Sequence, residues 1–234
     1  MARLQASFPA QKRVISNAAH QPRTPLAALR AQSELLQKMP DGAEREQSMK
    51  RLTAAGERAS HLATQLLTLV RAESAGTTSV RLAVDLNALC EDVAFDAIHQ
   101  ALVREIDFAL ETYADGPMKI VGGATLLGEM IRNLLDNAFK YTPVRGSVTL
   151  TVRANPPSAV VDDPGPGVAQ SEQNRIFAPF ARVALVDSKT GLPIPGTGLG
   201  LAIVREVADA HNASLRVENS TLGGAQFIVS FELA

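Results

Sequence analysis

The stretch RNLLDNAFKY, residues 132 to 141, decides how this chain is read. Carried back to Glu129, it spaces Glu129, Asn133 and Asn137 by four, so their side chains stack along one face of a helix. Ile131, Leu134, Leu135 and Ala138 take the other faces. Amides exposed in a row add little to stability, whereas they suit a polar ligand. Mg²⁺ keeps much of its water shell and takes few protein oxygens, which fits one Asn carbonyl plus the oxygens of a phosphate. For an Asn pair taken alone, a solvated polar face is the plain alternative.

Three further segments bear on that choice. DPGPG begins at Asp163, at the end of the apolar run Ala159, Val160 and Val161. Gly165 and Gly167 let the backbone turn tightly there and approach a ligand, and the Asp163 carboxylate can accept from an exocyclic amine. Asp162 is expected to point the other way, because side chains alternate along a strand. GTGLGL, residues 196 to 201, places Gly196, Gly198 and Gly200 at the start of a helix, where unpaired N–H groups and the positive dipole end favour phosphate. A lone glycine pattern of this kind also suits a dinucleotide, but no strand leads into it, and the chain contains no G-x-x-x-x-G-K-[ST]. The fourth segment is AHQPRTPLAALR, residues 19 to 30. It presents His20 on a helix, with Thr24 one turn later on the same face and Pro25 after it.

Working outward, residues 3 to 38 read as helix, MPDGA (39 to 43) as a turn, and a second helix runs to about Glu73. Met49, Leu52, Gly56, Ala59, Ala63, Leu66 and Val70 recur at steps of three and four on the second helix, and Ala28, Ala31 and Leu35 do so on the first. Two helices cannot cover such stripes on all sides, so a homodimer closing a four-helix bundle is expected, with packing on the rest of the chain as the alternative. SAGTTS, residues 74 to 79, is small and polar and reads as the linker. The expected domains are 1–74, a dimerising helical hairpin, and 80–234, with 75–79 as the hinge between them. Beyond it come strands near 80–84, 106–110 and 118–121, helices over 85–102 and 125–141, a strand pair over 147–161, a helix from Gly198 and two final strands. Strands in hairpins beside segregated helices make this an α+β fold, an α/β sandwich rather than a doubly wound parallel sheet.

These four segments, in this order, resemble the cytoplasmic core of two-component sensor histidine kinases, and AHQPRTPLAALR is most similar to their tricarboxylate-sensing and quorum-sensing branch. The resemblance covers nearly the whole chain. It implies the ATP-binding sandwich shared with gyrase-type ATPases and Hsp90-like chaperones, ATP and Mg²⁺ as substrate and cofactor, and a response regulator receiver domain as partner. By position it makes His20 the phosphoacceptor, Thr24 the residue that orients water for dephosphorylating the partner, and Asn137 the Mg²⁺ ligand. Asn133 becomes a phosphate or water contact, Lys140 and Tyr141 neighbours of the phosphates and adenine, and Asp163 the reader of adenine. Gly165, Gly167, Gly196, Gly198 and Gly200 shape the binding loops. Arg182, in IFAPFARV (176 to 183), holds the position of a phosphate-contacting arginine, and residues 184 to 195 that of a mobile lid. Two positions depart from the pattern: Gln21 stands where an acid is most common, and Pro22 where leucine is expected. A helix-interior proline costs about 3 kcal/mol or more and disfavours helix at the residue before it.

Composition narrows the alternatives. With 46% hydrophobic and 20% charged residues over 234 positions, the chain can bury a core in one or two domains. Lys and Arg number 23 against 24 Asp and Glu, for a net charge of -1, which carries no footprint of nucleic-acid binding. Cys90 is the single cysteine, excludes an intrachain disulfide, and falls among Leu86, Leu89 and Val93 as a core residue. No run approaches the ~18 to 20 apolar residues of a membrane span. Kinases of this kind carry upstream sensor and membrane-spanning parts, so the resemblance implies the cytoplasmic portion of an inner-membrane sensor, anchored through an upstream segment. His61, His99 and His211 lack the neighbours of His20 and read as structural or solvated. Two rivals remain at this stage, a gyrase- or Hsp90-like conformational ATPase and a nucleotide-binding dimeric scaffold with impaired transfer.

Overall fold

The computed structural model describes residues 23–78, 82–113, 116–182, 194 and 196–233. His20, Gln21 and Pro22 lie outside the described residues, as does the expected lid apart from Ile194. The chain forms two compact units, Met1–Leu67 and Thr68–Ala234.

Helix α1 (Arg23–Lys38) and helix α2 (Ala43–Thr78) flank the turn at Met39 to Gly42, and the part of α2 from Thr68 onward belongs to the second unit. Glu44 and Glu46 in the first turn of α2 complement its positive dipole end. Ser48, Ala55 and Leu62 are buried on α2 at steps of seven, while Leu29, Gln32 and Leu36 are half-buried on α1. Gly56 lies opposite Leu29, whose Cδ2 a β-carbon would meet at 4.0 Å. Apart from Gly56, the stripes read from sequence lie mostly beside this seam: Ala31, Leu35, Met49, Ala63 and Val70 are exposed, and Leu52, Ala59 and Leu66 half-buried.

Helix α2 continues to Thr78, beyond the end expected near Glu73, so Ser74 to Thr78 of the predicted linker are helical. No Gly or Pro capable of ending the helix stands between Ala75's neighbours and Thr78 except Gly76, whose cost of about 1 kcal/mol a long helix absorbs. Ser74 Oγ also bonds back to the carbonyl of Val70 at 2.9 Å.

The second unit is an α/β sandwich. Strand β1 (Leu82–Asp85) pairs antiparallel with β3 (Lys119–Gly122) in a two-stranded sheet. Asp85 ends β1 and caps helix α3 (Leu86–Val103): its Oδ1 accepts from the amides of Asn87 at 3.1 Å and Met118 at 3.2 Å. The main sheet contains β2 (Asp107–Tyr113), β4 (Ser147–Ala154), β5 (Pro157–Asp162), β6 (Ser214–Asn219) and β7 (Ala225–Ser230), in the order β2-β4-β5-β7-β6. Only β2 and β4 are parallel; every other neighbouring pair is antiparallel.

The register puts Leu110 beside Leu150, Leu150 beside Val161, Val161 beside Phe227 and Phe227 beside Val217. Cross-strand partners share a sheet face, so this row forms one apolar surface. Helix α4 (Ala124–Tyr141) packs over it, with Phe139 edge-on to Phe108 at 5.2 Å between ring centroids. Helix α5 (Gly200–Ala210) lies beside α4 and buries Ala202, Ile203, Val204, Val207 and Ala208. Cys90 is buried on α3, and burial pushes its thiol pKa up to about 12, which suits a core residue.

Candidate functional site

Helix α4 follows the apolar pattern read from its sequence, but its amides are not exposed in a row as expected. Leu127, Met130, Ile131, Leu134 and Leu135 are fully buried, and the amides lie along another face. Asn133 is itself buried and donates from Nδ2 to the carbonyl of Glu129 at 2.8 Å. Its amide is thus tied to the helix, while Glu129 pairs with Arg132 at 3.2 Å. Asn137, one turn further on, is half-buried, and its side chain makes no hydrogen bond among the described residues. A side-chain amide oxygen is a ligand that a hard, largely hydrated cation takes, so the chemistry of Asn137 fits Mg²⁺. Among the described residues no group of three or more His, Cys, Asp or Glu could hold a metal on its own. A cation here would therefore depend on the phosphates it accompanies.

At the end of α4, Lys140 Nζ lies 4.7 Å from the Tyr141 ring centroid and 3.2 Å from its hydroxyl. A β-carbon at Gly196 would collide with that ammonium, so the glycine loop passes directly over Lys140. Gly198 has φ +74° and the Phe180 backbone 2.8 Å from where its β-carbon would stand, which leaves room for glycine alone. This left-handed residue is why α5 starts at Gly200, two residues after the start expected at Gly198. The first amides of α5 have no acceptor within the helix and open toward the same loop.

Asp163 follows β5 and is buried, with 2% of its surface exposed. Its Oδ1 accepts from the amides of Gly165 at 2.8 Å and Ala225 at 3.5 Å, which leaves Oδ2 as the oxygen for a ligand. Burial raises the carboxyl pKa above its ordinary value; the two amide bonds oppose this, and the neighbouring charge of Asp162 adds to it. Asp162 points away, as alternation requires: it accepts from Ser220 Oγ and from Gln226 Nε2 at both oxygens, each at 2.9 Å. Gly165 lies against the carbonyl of Tyr141, which a β-carbon would meet at 3.1 Å, so the aspartate turn and the end of α4 touch. Gly167 has φ +69°.

One unit therefore brings together Asp163, the Lys140 end of α4, the glycine loop and the start of α5. The four segments match known domains in the same order. Residues 10–75 match the model for the His Kinase A (phospho-acceptor) domain, and residues 122–234 match the model for the histidine kinase-, DNA gyrase B-, and HSP90-like ATPase. The chain belongs to the sensor histidine kinases. It is 35% identical over 230 residues to the sensor protein QseC of Salmonella typhimurium, covering 98% of this chain and 49% of that protein. It is 37% identical over 224 residues to the signal transduction histidine-protein kinase/phosphatase MprB of Mycobacterium avium, covering 92% of this chain and 41% of that protein. A solved structure of the cytoplasmic segment of histidine kinase QseC superposes with a TM-score of 0.53 at 28% identity, covering 76% of this chain and 95% of that one. The chain spans about half the length of the curated relatives it matches.

Within this chain the other expected residues are placed unevenly. Arg182 is exposed, and its Nη2 donates to the carbonyl of Ile194 at 2.8 Å, across the base of the expected lid. Thr24 falls in the first turn of α1, and His20 lies outside the described residues. Sequence reasoning did not find Gly224 and Ala225. A β-carbon at Gly224 would meet Asp163 Oδ1 at 2.8 Å and collide with the Gly165 amide, so the glycine at 224 gives the aspartate turn its space. The only local signal was the pair Gly223–Gly224 ahead of the last strand.

Proposed function

We propose that this chain is a protein-histidine kinase that transfers the γ-phosphoryl group of ATP to His20 and passes it to an aspartate of a response regulator receiver domain. The observation that carries the reading is the convergence of the Asp163 turn, Lys140 and the Gly196–Gly200 loop in one unit, in a chain whose other unit carries the His20 motif. In this scheme Asp163 Oδ2 accepts from the adenine amine. Lys140 and the first amides of α5 hold the phosphates, with Arg182 and Asn133 as further contacts and Tyr141 beside the adenine. Asn137 would hold Mg²⁺, which would supply neutralisation of phosphate charge. An imidazole nitrogen of His20 attacks the γ-phosphorus, a P–N bond forms as the bridging P–O bond breaks, and ADP leaves. Thr24 orients water for the reverse dephosphorylation of the regulator.

The hairpin supports a homodimer, because Leu35 and Met49 leave 47% and 50% of their surface exposed on the stripes outside its own seam. Among the described residues no helix is long and apolar enough to cross a membrane. By its likeness to the cytoplasmic segment of histidine kinase QseC, we place this core on the cytoplasmic side of the inner membrane, attached through an upstream segment. The test is incubation with γ-labelled ATP and Mg²⁺. Acid-labile, base-stable label on the protein, lost in His20→Ala, is expected. Label retained in that variant refutes the acceptor; phosphate released with no label on the protein refutes the kinase reading in favour of an ATPase.

A further inference from the structure

His211 was read from sequence as structural or solvated, and the structure gives it a defined task. It caps the C-terminus of α5, where its backbone N–H donates to the carbonyls of Val207 and Ala208, each at 3.1 Å. Its ring meets the other helix of the site. The backbone N–H of Gly123 donates to Nε2 at 3.0 Å, and Nδ1 lies 2.7 Å from the carbonyl of Val207. A backbone amide can only donate, so Nε2 carries the lone pair. A carbonyl can only accept, so Nδ1 carries the hydrogen. The two contacts select one neutral tautomer.

The residues around the ring are arranged for this contact. A β-carbon at Gly122 would stand 2.7 Å from His211 Cδ2 and 2.7 Å from Leu127 Cδ1, so the ring fills the space that a side chain at 122 would need. Gly123 is the N-cap of α4 and supplies no side-chain cap, and the imidazole takes up an amide that the helix leaves without a partner. Helices α4 and α5 run antiparallel as a result. At one end His211 joins the start of α4 to the end of α5, and at the other Lys140 lies against Gly196 just before α5 begins.

We propose that His211 is a positioning residue for the nucleotide site, holding the axial register of α4 against α5. This rests on the ATP-binding reading above and deepens it. The register sets the separation between Asn137 and Lys140 on α4 and the phosphate-facing amides at the start of α5, which must close on one triphosphate together. Asp163 follows a sheet strand and is held by Gly165 and Ala225, so adenine recognition does not depend on that register.

The two dependences separate in one experiment. ATP with Mg²⁺ and adenosine are titrated separately against the whole chain and its variants by calorimetry, and imidazole ¹⁵N shifts are recorded on the wild type. His211→Phe keeps a ring but removes the acceptor, whereas His211→Gln restores an acceptor at similar reach. The expected result is a loss of about three- to ten-fold in ATP affinity in His211→Phe, the cost of one hydrogen bond. Adenosine affinity stays within about twofold, His211→Gln recovers most of the ATP loss, and the ¹⁵N shifts report hydrogen on Nδ1. Equal losses for ATP and adenosine, an unchanged His211→Phe, or hydrogen on Nε2 overturns the proposal. If His211→Phe does not fold, His211→Gln and the ¹⁵N shifts decide it: a Gln variant with weakened ATP binding, or the wrong tautomer, counts against it. A wild type that binds neither ligand refutes the ATP reading itself.

Discussion

Replacing Asp163 by Asn isolates the reading of the base. Oδ1 of Asp163 is occupied by the amides of Gly165 and Ala225, so only Oδ2 is left to accept from adenine. Asn cannot serve both sides. If its oxygen keeps the Gly165 amide, its NH₂ faces the exocyclic amine of adenine; if the amide flips, its NH₂ faces the Gly165 N–H. Either orientation sets donor against donor. A hydrogen bond to a charged acceptor contributes about 1.5 to 3 kcal/mol, so ATP affinity should fall roughly 10- to 150-fold.

Folding should respond in the opposite sense. Burial holds the Asp163 carboxyl above its ordinary pKa, so its charged form is destabilising in the folded state above that raised value, and the penalty fades as pH falls through it. Asn carries no such charge, and the variant should unfold at no lower temperature than wild type at neutral pH. Calorimetric titration with ATP and with inorganic tripolyphosphate, across mildly acidic to neutral pH, tests both effects. Wild-type ATP affinity should decline on acidification sooner than an ordinary carboxylate would require, and the variant should lack that component. ATP binding within twofold of wild type, or an equal loss for tripolyphosphate, refutes the assignment.

Three other outcomes follow from the same structure. Gly198→Ala forces a side chain into a left-handed position against the Phe180 backbone, so it should destabilise the second unit by about 2 kcal/mol or more and lower its melting temperature in calorimetry. Glu206 on α5 has its carboxyl pKa raised by burial first and then by the charges of Glu73 and Asp209, so its ionised form is a cost above that raised value and the cost is relieved on acidification. Glu206→Gln should raise the melting temperature by about 1 to 3 °C at neutral pH and lose that advantage in acid; a lower melting temperature at neutral pH contradicts the assigned direction. Pro22→Leu should increase phosphohistidine at His20 without changing ATP affinity, as measured by labelling and titration in parallel, because a helix-interior proline is costly and disfavours helix at the residue before it.

Much of the fold was legible because it is built from local pattern. The amide row and apolar positions of RNLLDNAFKY set the faces of α4. The helix start expected at Asp85 was right to within a residue, and the start expected at Gly198 was displaced by two residues because its φ of +74° lies outside the helix. The linker misled for the reverse reason. Ser, Ala and Thr look like loop in composition, yet a helix already under way extends through them to Thr78. Periodicity found two apolar stripes on the hairpin, but it could not say that the seam within the hairpin runs beside them through Ser48, Ala55 and Leu62.

The sequence by itself determined the elements of the second unit, their order and the sandwich, because each is encoded within one helix turn, one strand or one glycine turn. Tertiary structure alone decided which oxygen of Asp163 remains for a ligand, since the amide of Ala225 reaches it across 62 positions. It also decided that His211 has a task, since Gly123 is 88 positions away. Contacts between residues so far apart leave no period in the chain; they exist only once the sheet and the helical layer have packed.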